Sequence, residues 1–281
     1  MRLTRPSPSR LFASTALATV LAVGLAGCQT TAKGPDTTGS IATASRPTSE
    51  GEWRVALDRS EALYKAKPDD VAAAMQYAQA LRGTGQHTQA VAVLEQVSLK
   101  NPRNKQLLGA YGRALAEVGR YPQALEVLSR AHTPDMPDWR ILSAQGAVLD
   151  QMGRYEEARA HYAAALKIAP DEPSVLSNLG LSYALSRDLK KAEATLRKAT
   201  SQPGVSPRVR QNLALVIGLQ GRFPEAEEIA RADLPPEEAA ANVDFLRQMV
   251  AQQKGGLNLK SAKPAKPEKP AAVAASAPAR S

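Results

Sequence analysis

The stretch WRILSAQGAVLDQMGRYEEARAHYAAALKIAPDE, Trp139 to Glu172, decides the fold. Leu142, Gly146 and Leu149 recur at helical spacing, and after Gly153 so do Ala158, Tyr162 and Ala165, until Pro170 stops the second run. The pattern predicts a helix, a tight turn and an antiparallel helix. Gly146 inside the first helix costs roughly 1 kcal/mol relative to alanine, so it needs a compensating contact. The expected one is close approach of the second helix, its Ala158 methyl against bare backbone.

The same phase extends in both directions without a gap, giving units 71–104, 105–138, 139–172, 173–206 and 207–240. Position 8 is Ala78, Gly112, Gly146, Gly180 and Ala214, and position 20 is Ala90, Ala124, Ala158, Ala192 and Ala226. The turn glycine recurs as Gly85, Gly119, Gly153 and Gly221, with Arg187-Asp188 in its place in the fourth unit. One helix pair cannot bury its apolar face alone, but stacked neighbours can, so unbroken register argues for a solenoid over a helical bundle with alanine-rich seams. An aromatic content of 4% beside 43% hydrophobic residues, largely Ala and Leu, suits helices packed through small side chains.

The spacing resembles the tetratricopeptide repeat, which carries Gly or Ala at position 8, Ala at 20, an aromatic or Leu at 24, Ala at 27 and Pro at 32. Here those positions are Gly146, Ala158, Tyr162, Ala165 and Pro170. The expected fold class is an all-α tetratricopeptide-repeat solenoid of about five helix pairs with a capping helix at each end. Its helix-packing positions are Gly112, Ala124, Gly146, Ala158, Gly180, Ala192 and Ala226. The N-terminal cap is 53–67, a second helix without its first, and the C-terminal cap is 237–253, with Val243, Leu246 and Val250 on its apolar face. Irregular loops are expected at Thr133-Pro-Asp-Met-Pro137, at Gln202-Pro-Gly204 and at Pro235-Pro236.

Ahead of the repeats, Arg2, Arg5 and Arg10 precede an apolar run from Leu11 to Leu25 that is short for a membrane span. Residues 1–27 read as a signal peptide. The run ends in Leu25-Ala-Gly-Cys28, which resembles the lipobox of bacterial lipoproteins, with Cys28, the sole cysteine, as the lipidated residue. A buried thiol or an uncleaved anchor are the alternatives. In the sorting rule of Gram-negative lipoproteins, Gln29 in place of Asp implies the outer membrane, with the domain facing the periplasm. Residues 28–52, rich in Thr, Ser, Gly and Pro, read as a disordered tether with an r.m.s. reach of about 25–30 Å. The tail 254–281 is Ala, Pro and Lys, expected to be disordered, either a solvated spacer or a weak ligand for an anionic surface.

The formal charge of +9 lies mostly outside the repeats: about +3 in Met1 to Cys28, about −1 in Gln29 to Glu52 and about +5 in Lys254 to Ser281, leaving roughly +2 for Trp53 to Gln253. A near-neutral repeat region argues against nucleic acid. No metal-spaced histidines, nucleophile elbow or phosphate loop occurs in the sequence, and the three histidines, His87, His132 and His161, are scattered. The expectation is no enzyme, no metal, no cofactor and no small-molecule substrate.

What remains is a protein-binding groove. In tetratricopeptide domains it is lined by first-helix positions near 2, 5, 9 and 12. The candidates are Arg82, Gln106, Arg113, Arg140, Ser143, Arg208 and Gln211, with Ser174 and Ser177 beside them. Asn178 and Asn212 share position 6, where some members use Asn to clamp a peptide carboxylate or backbone. The whole layout from Cys28 to about Gln253, most specifically VRQNLALVIGLQGRFPEAEE (Val209 to Glu228) and NVDFLRQM (Asn242 to Met249), resembles the TadD-like lipoproteins of the Tad (Flp) pilus assembly system. That resemblance implies a pilotin-like accessory, anchored in the membrane by lipid, whose client is a secretin subunit or another pilus component. The alternative is an envelope scaffold that docks peptidoglycan-remodelling enzymes.

Overall fold

Five helices begin at Val71, Lys105, Trp139, Pro173 and Pro207, and five more at His87, Tyr121, Tyr155, Leu189 and Phe223, so both series advance by one repeat length at a time. The structure, a computed structural model, describes Pro47 and residues 49–261, with side chains through Gln252. The signal peptide, Cys28, most of the tether and the tail beyond Ser261 lie outside the described residues. In chain order the helices are α1 (Glu50–Ala66), α2 (Val71–Gly83), α3 (His87–Lys100), α4 (Lys105–Glu117), α5 (Tyr121–Ser129) and α6 (Trp139–Gln151). They continue with α7 (Tyr155–Ile168), α8 (Pro173–Leu185), α9 (Leu189–Thr200), α10 (Pro207–Leu219), α11 (Phe223–Ala230) and α12 (Pro236–Ser261). Contacts divide the chain after Val216 into two compact units.

Local chemistry sets these boundaries. Asp70, Asn104 and Asp138 cap α2, α4 and α6, their side chains accepting from the backbone N–H of Ala73 (2.7 Å), Leu107 (3.0 Å) and Arg140 (2.8 Å). Every first helix ends in one turn type: the N–H of Gln86, Arg120, Arg154, Asp188 and Arg222 donates to the carbonyl of Leu81, Leu115, Leu149, Tyr183 and Ile217. This Schellman closure puts the preceding residue in the left-handed region, which Gly153 enters freely at φ 75°. Arg187 holds the same place at φ 65°, a conformation its Cβ disfavours.

In the first unit, each first helix packs on its own second helix and on the first helix of the next repeat, α2 on α4, α4 on α6 and α6 on α8. The buried core runs through Ala74, Leu81, Ala90, Leu94, Leu107, Leu115, Ala124 and Leu128, and continues through Leu149, Ala158, Tyr162, Val175, Ala192 and Leu196. Gly146 does have close neighbours, and the three nearest atoms to a Cβ built on it all belong to the Tyr162 ring rather than to the expected Ala158 methyl. A Cβ built on Gly146 would lie 2.6 Å from Tyr162 Cε1, and one on Gly112 or Gly180 would lie 2.6 Å from Cγ of Leu128 or Leu196. Position 8 is therefore small to admit the large side chain at position 24. Ala124, Ala158, Ala192 and Ala226 are all fully buried.

Two boundaries depart from the expectation, and an irregular loop falls where one was expected, at 133–137. Helix α1 starts at Glu50, inside the segment assigned to the tether, because Ser49 and Glu52 form a reciprocal capping box. Helix α12 continues through Gly255 and Gly256 to Ser261, into the segment assigned to the tail; no proline interrupts the backbone before Pro264. Helix α5 stops at Ser129, ahead of a proline-flanked turn in which the Met136 N–H donates to the Thr133 carbonyl at 3.0 Å.

The second unit comprises the last turn of α10, with α11 and α12. Ala239, Val243 and Leu246 are its buried residues on α12, and a Cβ on Gly218 would come within 2.9 Å of Leu246 Cδ1. The Arg247 guanidinium lies over the Phe223 ring at 5.0 Å.

Candidate functional site

The first helices α4, α6 and α8 bring part of the candidate groove together. Arg113, Arg140, Ser143 and Asn178, with Ser174, line one open cavity of about 340 Å³, together with Trp139, Ala144 and Ala147. Gln106 and Arg208 are exposed and do not line it, nor do Arg82, Gln211 and Asn212. Trp139 lines the cavity although it was not among the candidates, because it opens the repeat, outside the first-helix positions near 2, 5, 9 and 12.

Charge is unevenly compensated across this face. Arg82 is engaged: its Nε donates to Glu117 Oε2 at 2.7 Å and a second nitrogen reaches Oε1, while His87 Nδ1 lies 3.2 Å from the same carboxylate. Burial pushes the Glu117 carboxyl up, but Arg82 and then His87 outweigh it and hold it below the ordinary carboxylate range. Arg140 lies over the Trp139 ring at 4.5 Å and reaches Asp138 at 4.0 Å. Arg113 is half-buried and, among the described residues, has no ion-pair partner within bonding distance. Burial of its guanidinium lowers its pKa, the nearby Arg82 charge adds to this, and Asp138 and Glu117 act in the opposite sense. An arginine remains protonated in such a place, so it offers an unneutralised cation to a partner.

The two asparagines form rungs between successive units. Asn178 Nδ2 donates to Ser143 Oγ at 3.1 Å and Asn212 Nδ2 donates to Ser177 Oγ at 2.9 Å. One amide N–H of each is thereby spent on stacking, which weakens them as clamps for a carboxylate; the second N–H and the carbonyl are left for other partners. Gln211 is half-buried, and its Nε2 has no hydrogen-bond partner among the described residues.

Helices α6, α7 and α8 share a buried polar centre that the sequence did not mark. Asp150, 7% exposed, accepts from the Tyr162 hydroxyl at 2.9 Å and the Ser182 hydroxyl at 2.7 Å. Burial pushes the Asp150 carboxyl up to about 6 even though both hydroxyls and Arg159 favour its charged form. Tyr162, itself buried, titrates well above its ordinary value, first through burial and then through the neighbouring Asp150, so its hydroxyl stays a donor.

Comparison with known proteins agrees with the repeat architecture. The TPR repeat model matches residues 146–186 and a tetratricopeptide repeat model matches 207–232. The model for anaphase-promoting complex, cyclosome, subunit 3 matches 50–131. The fold is the tetratricopeptide repeat. Solved structures of similar tetratricopeptide arrangement include PilW, a widely conserved type IV pilus biogenesis factor, at 19% identity and TM-score 0.59 over 69% of this chain and 91% of that one. A tetratricopeptide repeat protein from Parabacteroides merdae aligns at 12% identity and TM-score 0.59, over 72% of this chain and 78% of that one. The anaphase-promoting complex assembly Cut9-Hcn1 aligns at 16% identity and TM-score 0.59 over 73% of this chain, which spans only 40% of that chain. No curated protein matches the chain. These likenesses establish the tetratricopeptide fold.

Proposed function

We propose that the chain is a non-enzymatic outer-membrane lipoprotein that holds a protein client on its first-helix face and assists assembly of a pilus secretin of the Tad (Flp) type. The observation that carries the binding reading is Arg113: a half-buried cation that makes no ion pair among the described residues, beside Trp139 and Arg140, at the wall of an open cavity. Aromatic and arginine side chains around a partly desolvated pocket are the composition of an interface hot spot. The client segment that fits has an acidic side chain or terminus for Arg113 and an apolar flank for Trp139.

The lipid anchor rests on Leu25-Ala-Gly-Cys28 following its apolar run, and the pilus role on the TadD-like layout together with the tetratricopeptide likeness to PilW. Lipid would fix the address, the tether would give reach, and the repeats would hold the client. In-cell crosslinking of the full chain, followed by mass spectrometry of what it retains, tests this. Recovery of a secretin subunit or another pilus component is the expected result. Recovery of cell-wall enzymes with no pilus component would replace the reading by that of an envelope scaffold.

A further inference from the structure

A second cavity, of about 550 Å³, is lined by Pro102, Arg103, Lys105, Arg130, His132 and Thr133, three cations and no carboxylate. It lies between the α3–α4 loop and the segment after α5, on residues the groove does not use. Arg130 donates to the Pro102 carbonyl at 3.2 Å and Lys105 Nζ to the Thr133 hydroxyl at 3.3 Å, bonds that position both heads without neutralising either. Arg103, Lys105 and Arg130 make no ion pair among the described residues. His132 Nδ1 is buried there with no hydrogen-bond partner among the described residues.

The repeat register shows what is unusual. Two repeats further along, the residues equivalent to Arg103 and Arg130 are Asp171 and Lys198, and these form an ion pair of 2.6 Å. The first-to-second junction thus sets two cations, with Lys105 as a third, at the register where the third-to-fourth junction has a salt bridge. Like charges held together are relieved by an anion between them. A carboxylate brings one charge and two oxygens. A phosphate brings up to two charges and enough acceptor oxygens for three separated cations and a hydroxyl.

We infer that this cavity is a binding site for a phosphate group, carried by a soluble phosphate ester or by an anionic lipid headgroup, with Arg103, Lys105 and Arg130 as its ligands. The site stands independently of the client groove.

The test is calorimetric titration of the full chain with inorganic phosphate and with glycerol phosphate at fixed ionic strength, beside Arg103→Asp and the exposed-helix control Arg59→Gln. Arg103→Asp sets a carboxylate at the register of Asp171, in the cavity with Arg130, so it should weaken phosphate binding roughly tenfold or more without lowering the melting temperature in phosphate-free buffer. A loss of binding through misfolding would instead lower the melting temperature. Arg59→Gln should bind as the parent does. No saturable binding by the parent at millimolar phosphate, or equal binding by Arg103→Asp, would overturn the site. Cosedimentation with phosphatidylglycerol–phosphatidylcholine vesicles then assigns the source. Parent retained more strongly than Arg103→Asp identifies a lipid headgroup, and equal retention of both identifies a soluble ester.

Discussion

Replacing Asp150 by Asn should remove a pH dependence that the folded chain owes to a single buried carboxylate. In the fold this carboxyl titrates near 6, against an ordinary value of 3.8, because α6, α7 and α8 exclude water from it. A group that binds its proton more tightly when folded stabilises the fold fully below its unfolded pKa, and that contribution is lost as pH rises through the folded one. Linkage with these two values gives about 1.4 kcal/mol more stability at pH 5 than at pH 8, out of a full span of about 3 kcal/mol. Asparagine has the same shape and cannot titrate. Tyr162 and Ser182 can still donate to its carbonyl, or either can turn its hydroxyl to accept from its amide. Thermal unfolding followed by circular dichroism, for both chains at pH 8, 7, 6 and 5, isolates the term, since every other titrating group cancels in the difference. Asp150→Asn should be at least as stable as the parent at pH 8, and its advantage should shrink by about 1.4 kcal/mol by pH 5, or about 3–6 °C in melting temperature. Parallel pH profiles for the two chains would refute the claim that Asp150 is buried as a charge.

Other outcomes follow from the same geometry. Gly146→Leu drives a side chain into Tyr162, which its Cβ alone would approach to 2.6 Å, and should cost about 3 kcal/mol or more, read as lost hydrogen-exchange protection in α6 and α7. Arg187→Gly relieves a left-handed residue and should raise stability by about 0.5–1 kcal/mol in denaturant unfolding; Arg187→Ala, which keeps the Cβ, should not. Cys28→Ser should leave an uncleaved precursor or release the domain in soluble form, and normal outer-membrane content on fractionation would contradict lipidation.

The sequence exposed the repeat phase because the fold demands small residues where helices meet and a left-handed turn after each first helix. Those demands recur at fixed positions and are readable in Ala124, Ala158, Ala192 and the turn glycines. It did not expose which side chain answers Gly146, since spacing says which helix is near but not how far the ring of Tyr162 reaches. Asp150 was invisible for a related reason: its environment is made by Tyr162 and Ser182, 12 and 32 residues away, and an aspartate on a helix reads as solvated until those partners close over it. Among the groove candidates, Arg82 and Arg113 looked equivalent as basic first-helix residues. Only Glu117, reaching across from the next unit, separates the neutralised one from the one left open. The cation cluster at Arg103 was equally hidden, because Arg103, Lys105 and Arg130 converge only when one loop folds against the next.

The central claim, that a client sits on the first-helix face, is tested most directly by site-specific photo-crosslinking in cells. Ser174→p-benzoylphenylalanine places a crosslinker at the cavity, and Asp58→p-benzoylphenylalanine places one on exposed α1. One client should be captured from position 174 and not from position 58, and Arg113→Glu/Arg140→Glu in the same chain should abolish the adduct. Capture that is equal from both positions, or unchanged by the double substitution, would contradict the account.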